Sequence, residues 1–133
     1  MVTGGHRAHA RSFLQKAEEY LAAAEDSRAV GRHTPAAGDA IHAGISAKDA
    51  IVTALTGSTA KGKNHATAAT ELKEALGKRS EAGAAERALR ELLSAKADVE
   101  YGVALVTETK AESLGRRARS LVELAVQVVR LGR

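Results

Sequence analysis

Residues 34–57 of the chain read TPAAGDAIHAGISAKDAIVTALTG, a stretch that is typical of one long helix. Thr34 is a good N-cap and Pro35 suits the first helical position, whereas Gly57 can take the left-handed conformation in which many helices end. Between these signals an apolar stripe recurs with helical spacing, formed by Ile41, Ile45, Val52 and Leu55. We therefore predict a helix that buries this stripe against its neighbours.

The rest of the chain repeats this helical pattern, with short polar or glycine-containing connections. We expect further helices over about residues 8–26, 65–76, from Ser80 or Gly83 to about 97, and from a T-x-x-E capping box at Thr109 and Glu112 to about 130. Residues 99–106 fit either an extended segment or a helix tail. The pattern predicts an all-α fold, an up-and-down antiparallel bundle of four to five helices.

The length and amino-acid composition of the chain limit the kinds of domain and site that it can form. A chain of 133 residues favours one domain over residues 1–133, with residues 1–7 frayed. Aromatic residues make up only 2%, so the core is built from small aliphatic side chains, and we expect part of the helical surface to be buried in a homodimer. There is no cysteine, which excludes disulfides and thiolate metal sites. We predict no cofactor, no metal site, no membrane span and a cytoplasmic location.

Basic residues are concentrated near the end of the chain, within a formal net charge of +4. Arg116, Arg117 and Arg119 follow one another closely, with Arg130 and Arg133 beyond them. Such an end can meet nucleic acid or an acidic partner, although a solvated helix face is the simpler interpretation.

Two motifs are matched incompletely. Residues 56–64, TGSTAKGKN, have the phosphate-loop spacing G-x-x-x-x-G-K but carry Asn64 where a Mg²⁺-binding hydroxyl is needed, and the segment before them is helical rather than a strand. We interpret them as a basic connection between helices. Arg28 and His33 have the R-x4-H spacing of some RNA-cleaving helical bundles, but chance alone supplies such a spacing in a chain this rich in arginine.

Three segments together resemble a known family: FLQKAEEYLAAAEDS at 13–27, AAGDAIHAGISAKDAIVTALTG at 36–57, and KNHATAATELKEAL at 63–76. They are similar in pattern to the HEPN (higher eukaryote and prokaryote nucleotide-binding) domain, including a polar pair at Lys48 and Asp49 and a histidine, His65, after a basic glycine turn. The resemblance covers about residues 10–130.

The resemblance implies a helical bundle that commonly dimerises. Family members include ribonucleases, whose R-x4-6-H motif lies on a late helix and faces its copy across the dimer. Others are non-catalytic modules that pair with small nucleotidyltransferases or occur in toxin–antitoxin systems. The late helix of this chain, SLGRRARSLVELAVQVV at 113–129, contains arginines but no histidine. This departure argues against ribonuclease activity, which needs a group to move protons.

Polar residues on the second and third helices each have a structural and a functional interpretation. Lys48 falls on the apolar stripe, so it must snorkel, bind a ligand, or pair with a carboxylate such as Asp98 or Glu100. His42 and Asp49 lie two turns apart on one flank, as half of an acid–base site, a dimer contact or a solvated face. His65, at a helix start, either packs across the turn or contacts a nucleotide phosphate.

The sequence therefore predicts a non-enzymatic HEPN-like module that forms a homodimer and binds a nucleotide or a protein partner of the nucleotidyltransferase or toxin type. The alternatives are a ribonuclease that uses Arg28 and His33, or a basic bundle that binds nucleic acid such as RNA. No residue is assigned a catalytic role. Candidates for ligand or partner binding are Lys48, Asp49, His42, His65, Arg116 and Arg117.

Overall fold

The computed structural model describes residues 4–58 and 65–133, and within this part the chain is all-α, without a strand. Its helices are α1 (Gly4–Ala29), α2 (His33–Thr56), α3 (His65–Leu76), α4 (Ala82–Tyr101) and α5 (Glu108–Ala125). The last helix continues into a π-helical turn, Val126–Arg130. The predicted helical bundle is thus confirmed, and no helix of the described residues is both long and apolar enough to cross a membrane.

The ends of α1 and α2 agree with some of the helix start and stop residues predicted from the sequence and differ from others. Helix α1 begins at Gly4, so residues 4–7, which we expected to fray, are helical. Gly57 ends α2 as predicted, with φ of 89° and its N–H donated to the carbonyl oxygen of Thr53. Thr34, however, is not the N-cap, because α2 already begins at His33. Its Oγ1 instead accepts a hydrogen bond of 2.9 Å from the backbone N–H of Val106.

The connection between α4 and α5 combines both structures that the sequence left open. Helix α4 continues to Tyr101, and residues 102–107 are non-helical. The predicted capping box at Thr109 is wrong. Thr107 has extended backbone angles and caps α5, since its side chain accepts the N–H of Lys110 at 3.1 Å. Glu112, the other half of the predicted box, forms an ion pair with Arg116 one turn further on.

Helix α2 is the centre of the bundle and contacts all four other helices. Its alanines allow this close approach, because small side chains let several helices pack around one axis. Within the predicted stripe Ile41 and Val52 are buried, whereas Ile45 and Leu55 are half-buried at its margin. Gly44 packs so tightly against Leu92 of α4 that an added Cβ would overlap that side chain.

The directions of the helices decide which residues meet at each end of the bundle. Helices α1 and α5 are antiparallel, since Arg119 pairs with Glu25 and Arg130 with Glu18. Helices α2 and α5 run in the same direction, because the hydrogen bond from Val106 to Thr34 brings their first turns together. The last turn of α1 and the first turns of α2 and α5 therefore share one end, which we call the α1–α2 end.

Candidate functional site

A small cleft of about 60 Å³ opens at the α1–α2 end, between α1, α2 and α5. Buried alanines from the three helices, Ala24, Ala36 and Ala111, line it together with Gly115. Because these side chains are so small, the long polar side chains around them border an open space. Those polar side chains are Glu25 and Arg28 of α1 and Glu112, Arg116 and Arg119 of α5.

Positive charges outnumber negative charges around the cleft. Arg116 pairs with Glu112, with 2.5 Å between Nη1 and Oε1, and Arg119 pairs with Glu25. Arg28 forms no ion pair with any residue in the described part of the chain. Three guanidinium groups thus border the cleft against two carboxylates. Exposed ion pairs of this kind contribute only about 0–1 kcal/mol, so these arginines can turn to a ligand at small cost.

The structure brings Arg28 together with Arg116 and Arg119 of the basic cluster and separates Arg117 and His33 from them. Arg28 and Arg116 border the same cleft although they lie far apart in the chain. Arg117 points elsewhere and pairs with Glu91 of α4, with 2.5 Å between Nε and Oε2. His33 is the first residue of α2 and does not border the cleft. Its Nδ1 is buried without a hydrogen-bond partner among the described residues.

Lys48 is a buried cation that forms ion pairs with carboxylates inside the bundle. Only 6% of the residue is exposed. Its Nζ lies 3.2 Å from Oδ1 of Asp49 and forms a second ion pair with Glu71 of α3. The predicted partners, Asp98 and Glu100, are wrong, because this part of α2 faces α3 rather than the end of α4. The arrangement favours a structural role, in which Lys48 joins α2 to α3.

His42 lies close to Glu100 of α4, with 3.3 Å between Nε2 and Oε1, although Oε1 has no hydrogen-bond partner among the described residues. The ring of His42 packs at 5.2 Å on Tyr20. Lys96 also binds Glu100, at 2.7 Å. The hydrogen bond from Lys96 holds the pKa of Glu100 below its ordinary value of 4.5, and the same contact raises the pKa of Lys96.

Asp49, by contrast, pairs with Lys48. The two residues predicted as half of an acid–base site therefore have different partners on different helices.

The remaining predictions fall partly outside the described residues. Residues 59–64 of the phosphate-loop match belong to that undescribed part, as does the side chain of His65. The segment before Gly57 is helix α2, however, so the strand that a phosphate loop requires is missing from the described fold. In residues 4–58 and 65–133, no group of three or more His, Asp or Glu side chains is placed to hold a metal ion.

Comparison with known proteins agrees with this fold. The sequence model of the HEPN domain family matches residues 10–129, and the chain therefore belongs to that family. A search of curated proteins found no match. The resemblance noted in the sequence is thus confirmed over nearly the whole chain.

The sequence analysis did not identify Glu25 or Glu112 as members of a site, and it named Arg119 only as part of the basic cluster. A partial signal was present on α5, where Glu112, Arg116 and Arg119 follow at steps of four and three residues and so share one face. Nothing in the local pattern of α1 indicates that Glu25 and Arg28 would face them. That relation depends on how α1 packs against α5.

Proposed function

We propose that the chain is a non-catalytic HEPN module that works as a homodimer and binds the phosphate groups of a nucleotide or an RNA in the cleft between Arg28 and Arg116. The main observation in support is that Arg28 and Arg116, which lie far apart in the sequence, border the same small alanine-lined cleft. HEPN domains commonly dimerise, which supports the homodimer.

The chemistry of the cleft suits phosphate better than a carboxylate or an apolar ligand. A guanidinium group donates paired hydrogen bonds in a plane that matches two phosphate oxygens, and it stays charged at any physiological pH. Helix α2 adds to this field because Arg32, its N-cap residue, makes no side-chain cap, and Ala36 of its first turn borders the cleft. The N–H of Ala36 is donated to the carbonyl oxygen of Arg32, so this contribution comes from the positive end of the helix dipole.

The same geometry supports binding without cleavage. Cleavage of RNA next to a 2′-hydroxyl needs a group that moves protons beside the cation that holds the phosphate. The described residues that border the cleft are arginines, glutamates, alanines and a glycine, with no histidine among them. Its glutamates are held in ion pairs with the arginines.

Binding of two fluorescent probes, measured by anisotropy at low salt, tests the proposal. One probe is a labelled single-stranded RNA and the other a labelled nucleoside triphosphate, so the two arms distinguish a polymer from a free nucleotide. For the preferred probe we expect the double variant Arg28→Ala, Arg116→Ala to bind at least about tenfold more weakly than the unaltered chain. Arg87→Ala, which removes an exposed arginine of α4 away from the cleft, is the matched control.

Three results would overturn the proposal. The first is binding of neither probe, which would turn attention to a protein partner of the nucleotidyltransferase or toxin type. The second is an equal loss of affinity in the double variant and in Arg87→Ala, because that pattern reports general charge alone. The third is shortening of the RNA on a denaturing gel that is abolished by His33→Ala, which would establish a ribonuclease instead.

A further inference from the structure

The connection between α4 and α5 exposes large apolar side chains that the rest of the fold does not cover. Tyr101, Val103 and Leu105 are 80%, 102% and 84% exposed, and they are the three most exposed large hydrophobic residues in the described part of the chain. Val103 and Leu105 line a groove between the last turns of α4 and the first turn of α5, and Tyr101 is the last residue of α4, next to Gly102 of the groove. Exposed large apolar side chains that cluster within five residues of the chain are typical of an interaction site. We call these three residues and the groove the α4–α5 surface.

The charges on the two walls of this groove have opposite signs. Asp98 lies on the α4 wall and Lys110 on the α5 wall, and both residues line the groove. Neither forms an ion pair with any other residue in the described part of the chain. A surface with one acidic and one basic wall is complementary to itself after a two-fold rotation. Asp98 of one copy then meets Lys110 of the other, and the reverse pair forms as well.

We propose that the α4–α5 surface is the interface of a symmetric homodimer, in which the apolar residues of each copy cover those of the other between the two ion pairs. The inference rests on the homodimer of the proposed function and assigns its surface. A partner of uniform charge fits the groove less well, because it satisfies one wall and opposes the other.

The area of the α4–α5 surface determines how tightly the dimer is expected to associate. Three large side chains on each copy, with the groove walls, amount to roughly 1,000 Å² of buried surface in total, near the lower limit for specific interfaces. We therefore expect a dimer that dissociates at micromolar concentrations rather than an obligate one. The backbone N–H of Val106 donates a hydrogen bond to Thr34 in the first turn of α2. This bond fixes the position of the connection that would contact a second copy.

Sedimentation velocity of the full chain, over about 1 to 500 μM, tests the inference. We expect a reversible dimer for the unaltered chain. We also expect at least about a tenfold rise in its dissociation constant for Leu105→Glu, since a charge then sits in the apolar centre. Leu131→Glu is the matched control, because Leu131 is another exposed leucine that does not line the groove. Circular dichroism checks that each variant keeps its helices.

A charge exchange tests the two-fold arrangement itself. Asp98→Lys and Lys110→Asp should each weaken the dimer, and the double variant should restore it, because both ion pairs are then rebuilt in reverse. A chain that stays monomeric overturns the inference and assigns the surface to a different partner. A dimer that Leu105→Glu leaves intact, or an exchange that fails to restore association, also overturns it. Probe binding by Leu105→Glu is measured separately, so failure of the cleft and failure of the dimer surface can be distinguished.

Discussion

Replacing Lys48 by methionine tests whether its role is structural. The change keeps most of the length of the side chain but removes the charge that Asp49 and Glu71 share. Removing one partner of a buried pair costs about 3–5 kcal/mol, because the remaining charge is left without compensation. The side chains of Asp49 and Glu71 are 23% and 22% exposed, so water partly solvates both carboxylates. We therefore expect Lys48→Met to lower the free energy of unfolding by about 2–4 kcal/mol.

The effect should appear as a fall in the melting temperature of roughly 8–15 °C, measured by circular dichroism at pH 7, for a domain of this size. Lys73→Met is the matched control. Lys73 also reaches a glutamate on a neighbouring helix, Glu86 at 3.7 Å, but its side chain is 57% exposed. Loss of that pair should cost less than about 1 kcal/mol.

A comparison of the two variants decides the role of Lys48. The structural interpretation is refuted if Lys48→Met melts within a few degrees of Lys73→Met. If Lys48→Met keeps its stability but loses affinity for the RNA or nucleotide probe, Lys48 belongs to a ligand site instead.

Three further predictions concern packing, charge in the cleft and pH. Gly44→Val should lower the free energy of unfolding in urea by about 1–3 kcal/mol, because the new side chain overlaps Leu92 in a filled core. Glu112→Gln should tighten binding of the RNA or nucleotide probe in the anisotropy assay, because it removes a negative charge that competes for Arg116; weaker binding would contradict the proposed site. The lowered pKa of Glu100 means that its contribution to stability is present above its ordinary pKa of 4.5 and is lost as the pH falls through the lower folded-state value. Urea unfolding at a series of pH values should therefore show a smaller loss of stability below about pH 4.5 for Glu100→Gln than for the unaltered chain, and equal losses would contradict this account.

Much of the fold could be predicted because its signals are local. Apolar spacing located the helices, and a glycine with positive φ ended α2 where the sequence indicated. One error arose where a distant residue bound the side chain of the predicted cap, and another where a neighbouring residue formed the cap instead. Thr34 has the chemistry of an N-cap, but its hydroxyl is taken by Val106, more than half the chain away. Thr109 fits a capping box, but Thr107 lies where the extended backbone turns into the helix and caps it first.

The candidate site was harder to predict than the fold. Arg116 was predicted together with Arg117 because both lie in a basic cluster, and Arg28 was noted only through a spacing that chance supplies. Their meeting depends on α1 and α5 being antiparallel neighbours, which no short sequence pattern encodes. Lys48 shows the same limit, since its burial followed from the apolar stripe, whereas its partner on α3 depended on how two helices cross.

The most direct test of the proposed function is a titration of the ¹⁵N-labelled chain with the probe that binds more tightly, followed by amide chemical shifts. If the cleft is the binding site, the saturable shifts concentrate in residues 24–36 and 111–119, and they are lost in the Arg28→Ala, Arg116→Ala variant. Saturable shifts centred instead on the part of α2 around Lys48, or at the start of α3, would contradict the account and place the ligand elsewhere on the bundle.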